Sequence, residues 1–98
     1  MVVQLNSLLS TLRQQQPYLN DKYHVESLGI FGSVVRGEEH QESDLDLLVT
    51  FSETPSLLEF ISLEIYLSEL LGVKVDLVMK DSLKPHIGKH ILAEVVPV

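Results

Sequence analysis

The chain has 98 residues, the size of one small domain, and we expect residues 1–98 to form a single domain. Its 7 Lys and Arg residues against 14 Asp and Glu residues give a formal charge of −7, so stable binding to nucleic acid by this chain alone is not expected. The absence of cysteine excludes disulfide bonds and thiolate metal sites. No apolar run approaches the ~20 residues that span a bilayer, so we expect a soluble, cytoplasmic protein.

Hydrophobic residues make up 45% of the chain, a high fraction for a domain with so much surface relative to its volume. Part of this apolar surface is therefore expected to be covered by a partner protein. A well-filled core that leaves no surface for a partner is the alternative.

The first predicted element is an amphipathic helix over residues 3–15, in which leucines recur at helical spacing (Leu5, Leu8, Leu9 and Leu12). Pro17 and the polar residues after it are expected to end this helix. Residues 24–31 are the first predicted strand. Gly32 and Ser33 then open a short helical turn, which is predicted to close at Gly37.

Residues 44–51 form the second predicted strand, and a helix follows to about Leu71. Ser56 and Glu59 match a capping box at its start, and Gly72 is expected to stop it. Its apolar residues at helical spacing are expected to pack into the core: Leu57, Phe60, Ile61, Leu67 and Leu71.

A third strand is predicted over residues 73–79 and a last helix from near Pro85 to before Pro97. The order α-β-α-β-α-β-α predicts a mixed α/β domain with a small sheet. The apolar tail over residues 91–98 packs on this sheet or serves a partner, and the sequence favours neither.

Asp44 and Asp46 begin the second strand, where residues i and i+2 point to the same face. Two like charges ~5 Å apart repel by roughly 3 kcal/mol at an effective dielectric of 20. A divalent cation bound between them removes that cost and turns the pair into a site. The alternative is an exposed strand end at which both acids are hydrated.

Asp76 lies in a β-branched strand, a position where Asp is depleted. A strand–helix–strand unit normally places its two strands parallel, so both strands start at the same edge of the sheet. Asp76 is therefore expected beside Asp44 and Asp46, although taken alone it is equally well an exposed strand acid.

Gly32 and Ser33 follow the first strand and open a helical turn, whose unpaired N–H groups suit a phosphate. If the first strand runs antiparallel to the second, this phosphate seat faces the carboxylates. Arg36, one turn later, contacts phosphate or balances the acids, and a surface arginine is at least as good an interpretation.

Two histidines, His86 and His90, stand at i and i+4 on the last helix, a spacing that can bind zinc. No third ligand is evident nearby, which favours a structural role. His24 and His40 are expected to be structural or exposed.

The combination of Gly32-Ser33, ten intervening residues and Asp44-x-Asp46 resembles the signature of the nucleotidyltransferase superfamily that includes DNA polymerase beta. Three longer strings resemble its minimal branch: Phe-Gly-Ser-Val-Val-Arg-Gly, Ser-Asp-Leu-Asp-Leu-Leu-Val and Lys-Val-Asp-Leu-Val. Members of that branch typically pair, as antitoxins, with a HEPN-type ribonuclease toxin.

The resemblance implies a polymerase-beta-like core and a role for each motif residue. Asp44 and Asp46 hold two Mg²⁺ ions, Asp76 completes the metal site and helps to deprotonate the acceptor, and Gly32 and Ser33 grip the β- and γ-phosphates. It also implies ATP as substrate, a toxin tyrosine as acceptor, and a hetero-oligomer in which transfer of AMP silences the toxin.

Two other functions remain open at this point. One is a non-catalytic antitoxin that neutralises the toxin by binding alone. The other is nucleotidyl transfer to a small molecule or to RNA, although enzymes of those kinds usually carry an added domain for the acceptor.

Overall fold

The computed structural model describes residues 5–32, 44–83 and 85–98, and of residues 85–87 the backbone alone. Its elements in chain order are α1 (Leu5–Tyr23), β1 (Val25–Phe31), β2 (Leu45–Phe51), α2 (Leu57–Leu71), β3 (Val75–Met79), a 3₁₀ turn (Lys80–Ser82), α3 (Pro85–Glu94) and β4 (Val96–Pro97). The predicted mixed α/β class is confirmed. No helix in these ranges is long and apolar enough to cross a membrane. The short helical turn predicted after Gly32, with His40 beyond it, lies outside the described residues.

The four strands form one mixed sheet in the order β3-β2-β1-β4. β1 pairs antiparallel with β2, and Phe31 at the end of β1 lies opposite Asp46. β2 pairs parallel with β3, as predicted for strands joined by a helix, and Asp46 lies opposite Asp76. The predicted parallel pairing is therefore confirmed, and the condition that the first two strands run antiparallel is met.

Helix α1 is longer than predicted and continues through Pro17 to Tyr23. A proline inside a helix removes one backbone hydrogen bond and costs about 3 kcal/mol, so the prediction that Pro17 ends the helix followed local propensity. Burial outweighs that cost here, because Leu19 is fully buried and Tyr23 nearly so.

The core lies between one face of the sheet and the two helices α1 and α2, which also contact each other. The buried residues alternate along the strands and recur along the helices: Leu8, Leu12, Leu19, Ile30, Leu45, Leu47, Val49, Leu63, Leu67, Val75 and Leu77. Since successive strand residues point to opposite faces, Asp46 and Asp76 belong to the face that α1 and α2 do not cover.

The predicted caps of α2 are confirmed. Ser56 accepts a hydrogen bond from the Glu59 backbone N–H, the Glu59 carboxylate accepts one from the Ser56 N–H, and Gly72 ends the helix in the left-handed conformation. The predicted core stripe is wrong at two positions, since Leu57 is 73% exposed and Ile61 is 42% exposed. The helix is apolar on most of its circumference, so its periodicity could not decide which side packs inward.

The end of the apolar tail, for which two roles were open, joins the sheet as β4, while its first residues belong to α3. It pairs antiparallel with β1, and the Val98 backbone N–H donates to the Leu28 carbonyl over 3.0 Å. Gly29 permits this approach, because a Cβ there would come within 2.5 Å of the Val95 side chain. Pro97 is tolerated because an edge strand leaves one side without ladder hydrogen bonds.

Candidate active site

Asp46 and Asp76 are direct neighbours across two parallel strands. Adjacent strands lie about 4.8 Å apart, so the two carboxylates emerge side by side from the same face of the sheet. The Asp46 side chain is half-buried and Asp76 is exposed. The sequence therefore predicted this juxtaposition correctly.

Asp44 stands one residue before β2, two positions from Asp46 and thus on the same side of the chain. Its carboxylate lies 3.9 Å from the Lys74 ammonium, and both side chains are substantially exposed. The Leu45 N–H donates to the Lys74 carbonyl over 2.8 Å, which fixes the start of β2 beside the residue that precedes β3. The ion pair gives Asp44 a cationic partner at the edge of the site.

Gly32 follows β1 and brings its backbone against Asp46. Its φ of 86° lies in the region that side chains rarely adopt, and a Cβ there would overlap the Asp46 carboxylate. Because Phe31 is the register partner of Asp46, the end of β1 places this glycine beside the start of β2. The close approach of backbone to carboxylate requires glycine at this position.

Glu94, the last residue of α3, also reaches this corner, and sequence reasoning did not select it. Its carboxylate accepts a hydrogen bond of 3.1 Å from the Gly32 backbone N–H. A lone acid in the apolar stretch Ile-Leu-Ala-Glu-Val-Val was the signal available in the sequence. Glu94 thus brings a carboxylate to a backbone donor that was predicted to bind phosphate.

The predicted metal ligands fit magnesium by type, since Mg²⁺ prefers carboxylate oxygens. Within residues 5–32, 44–83 and 85–98, no three acidic, His or Cys side chains are already gathered as a metal site. The Asp46–Asp76 pair fits a cation by ligand type, and the Gly32 backbone lies directly against the Asp46 carboxylate, which a Cβ would overlap. Asp44 is already paired with Lys74 through an exposed contact.

The structure thus brings Gly32, Asp46 and Asp76 together and places Asp44 beside them. Ser33 and Arg36 lie outside the described residues, and their predicted contacts with phosphate stay predictions. His90 is exposed on α3, and the His86 side chain is not described, so the zinc interpretation gains no support.

Known proteins resemble the chain over almost its full length. The model of the nucleotidyltransferase domain matches residues 12–97. The protein adenylyltransferase MntA of Thermococcus cleftensis is 52% identical over 92 residues, which cover 94% of this chain and 93% of that protein. A solved structure of a minimal nucleotidyltransferase superposes with a TM-score of 0.77 at 38% identity and covers 94% of each chain.

A more distant match is a chain from the structure of the tri-AMPylated HEPN toxin of Shewanella oneidensis in complex with its MNT antitoxin. The TM-score is 0.60 at 21% identity, and the match covers 94% of this chain and 66% of that one. At this identity the likeness concerns the fold, which agrees with the predicted nucleotidyltransferase core.

Proposed function

Because the chain belongs to the family of nucleotidyltransferase domains, we propose that it transfers AMP from ATP to a hydroxyl of a HEPN-type toxin and so neutralises the toxin. The predicted family and the predicted enzyme class are confirmed by the matches over residues 12–97 and at 52% identity. The proposal extends them to one donor, one acceptor protein and the cytoplasm as the place of reaction.

The donor and the acceptor class are supported by relatives. The 52% identical relative is named a protein adenylyltransferase, which supports AMP as the transferred group and a protein as the acceptor. The more distant complex holds a HEPN toxin that carries AMP groups beside an antitoxin of this fold, which supports such a toxin as the partner. A tyrosine as the acceptor residue rests on the family resemblance.

Each residue of the site then has a defined task. Asp44, Asp46 and Asp76 would hold Mg²⁺, which neutralises the triphosphate and stabilises the entering and leaving oxygens. The Gly32 backbone N–H would donate to a phosphate oxygen, and Ser33 and Arg36 would add further donors. Asp76, which is exposed where Asp46 is half-buried, would accept the proton of the acceptor hydroxyl.

The reaction balances without further reactants. The acceptor oxygen forms a bond to the α-phosphorus of ATP, and the bond between that phosphorus and the bridging oxygen to the β-phosphate breaks. Pyrophosphate leaves, and the hydroxyl proton passes to a carboxylate. The residues of this chain therefore act by position and charge, because the bond that forms lies between the two substrates.

One observation carries the proposal: Asp46 and Asp76 are register partners on parallel strands, and the backbone of Gly32 lies against Asp46. Two carboxylates and a backbone donor at one corner are what a metal–triphosphate complex requires. Two acids side by side on otherwise mostly apolar strands repel each other unless a cation lies between them.

The experiment is to incubate the chain with its cognate toxin and Mg-ATP and to weigh the toxin by mass spectrometry. We expect the toxin to gain one or more AMP groups, and Asp46→Asn to remove the gain. Full neutralisation of the toxin at unchanged mass would favour the non-catalytic antitoxin. Modification of RNA or of a small molecule without any toxin would favour the third function.

A further inference from the structure

Helix α2 presents an apolar surface to solvent. Leu57 is 73% exposed, Leu58 80%, Ile61 42% and Ile65 54%. These four residues lie on the side of the helix opposite Leu63 and Leu67, which are fully buried against the sheet. We call them the α2 outer face.

The composition of α2 is that of a helix buried on both sides. Ten of its 15 residues are apolar or aromatic, and they surround the helix instead of forming one stripe. A helix with apolar residues around its whole circumference is normally buried on all sides, whereas a surface helix has polar residues on its solvent-facing side. Contiguous exposed apolar side chains of this kind mark an interaction surface.

The charges around the α2 outer face identify the kind of partner. Residues 52–73 contain four glutamates and no Lys or Arg. Glu59 and Glu69 are exposed on α2, whereas Glu64 accepts a hydrogen bond from the Leu77 N–H. Two copies of the chain that met through this face would bring only like charges together, which disfavours self-association. A partner whose apolar contact residues are flanked by Lys or Arg has the complementary charge.

A ribonuclease toxin meets this description, because any protein that holds RNA neutralises phosphates with Lys and Arg. We propose that the α2 outer face is the docking surface for the toxin, through a toxin segment that presents apolar side chains flanked by basic ones. This inference rests on the proposed function for the identity of the partner.

Docking at this place is separate from catalysis. Asp46 and Asp76 belong to the opposite face of the sheet from the one that α2 covers. A toxin segment bound to the α2 outer face therefore leaves the carboxylates open. Loss of docking should weaken toxin binding and raise the KM for the toxin, while kcat at saturating toxin stays unchanged.

The test is the double variant Leu58→Ser/Ile65→Ser, with Leu92→Ser as the matched control. Leu92 is a 46% exposed apolar residue on a different helix, α3. Binding of the purified cognate toxin is measured by calorimetry in an Asp46→Asn background, so that no transfer occurs. We expect the double variant to raise Kd at least 30-fold and the control to change it less than threefold, at unchanged melting temperatures.

A charge variant tests the complementarity separately. Glu69 is an exposed acid on α2, and Glu69→Lys should weaken toxin binding most at low salt. The same weakening with Glu26→Lys, at an exposed acid on β1, would show a general charge effect and overturn the assignment to α2.

The two proposals fail in different ways. A toxin that gains AMP and binds the double variant as tightly as the parent overturns the docking surface and leaves the proposed function standing. A toxin that never gains AMP but binds the double variant 30-fold more weakly supports docking and overturns transfer. If the chain forms a dimer without the toxin and the double variant stays monomeric, the α2 outer face binds a second copy of the chain, and the toxin is overturned as its occupant.

Discussion

The carboxylate of Glu94 accepts a hydrogen bond from the backbone N–H of Gly32, 62 residues earlier in the chain, over 3.1 Å. Gly32 lies against Asp46, so a further acid stands at the corner where two strand carboxylates already meet. The Gly32 N–H was predicted to donate to a phosphate of ATP. Glu94 therefore occupies this donor, and under the proposed function it competes with a phosphate oxygen for the Gly32 N–H.

Glu94→Gln should strengthen the binding of ATP. The amide keeps an oxygen that can accept from Gly32, but it removes a negative charge beside the triphosphate. A partly exposed charge interaction of about 1 kcal/mol corresponds to a KM for ATP that is roughly threefold to tenfold lower. Steady-state transfer at varied ATP measures this, with Glu26→Gln as a control for overall charge.

An unchanged or higher KM for ATP in a folded Glu94→Gln variant would contradict competition between the Glu94 carboxylate and ATP for the Gly32 N–H. It would show instead that the Glu94 carboxylate supports the phosphate seat.

Gly32→Ala should abolish transfer, while Gly72→Ala should not. Both glycines have positive φ, 86° and 71°, so alanine pays a backbone cost of roughly 1–2 kcal/mol at either position. At Gly32 the new methyl group also overlaps the Asp46 carboxylate, whereas at Gly72 no atom lies within 4 Å. Urea unfolding and a nucleotide-binding titration separate the two effects. Equal activity of the two variants would show that the close approach at Gly32 has no role in catalysis.

The sheet geometry of the site could be predicted because it follows from connectivity. A helix between two strands makes them parallel, and because both acids stand near the start of their strands, Asp76 comes to lie beside Asp46. The sequence placed Gly32 near these acids only if β1 and β2 are antiparallel. They are antiparallel, and Gly32 lies at the same corner. Local rules about strands were sufficient here, because register and orientation left few alternatives.

The length of α1, the inward side of α2 and the position of Glu94 could not be predicted, because they depend on tertiary packing and not on local sequence patterns. α1 continues past Pro17 because Leu19 and Tyr23 are buried, and propensity alone opposed this. The inward side of α2 is set by the sheet, since apolar residues surround that helix. Glu94 reaches Gly32 only because β4 returns the chain to the edge of β1, a pairing of two residues that is too short to leave a strand signature.

Asp46→Asn and Asp76→Asn should each abolish transfer and leave the fold intact. The two side chains leave neighbouring strands on the same face, so removal of one charge relieves repulsion and stabilises the protein by up to about 1 kcal/mol. Mg²⁺ should raise the melting temperature of the parent and have little effect on either variant, because only the parent binds the ion at this site.

Asp81→Asn, at an exposed acid on the 3₁₀ turn, is the matched control for the Mg²⁺ response. Asp44→Asn should also lose activity, and its exposed ion pair with Lys74 contributes little to stability. A melting temperature that rises with Mg²⁺ equally in the parent, Asp46→Asn and Asp76→Asn would sink the metal assignment.

Tyr66 links α2 to α1, since its hydroxyl donates to the Gln15 side-chain oxygen over 2.9 Å. Burial, followed by the nearby Tyr18 and Tyr23, raises the pKa of Tyr66 above its usual 10.0. The folded state therefore holds the phenol proton more tightly than the unfolded state. The resulting stability is complete below pH 10 and is lost as the pH rises through the higher pKa of the folded state.

Tyr66→Phe should consequently cost about 0.5–1 kcal/mol at pH 7, through the lost hydrogen bond, and should make the loss of stability above pH 10 less steep. Urea unfolding at pH 7, 9 and 10.5 measures both effects. Tyr18→Phe is the control at pH 7 only, because Tyr18 is 41% exposed and Gln15 pairs with Tyr66. Above pH 10 it is not neutral, since Tyr18 contributes to the raised pKa of Tyr66. An alkaline decline in Tyr66→Phe as steep as in the parent would show that another group causes it, and the Lys22 ammonium above the Tyr18 and Tyr23 rings would then be the first to test.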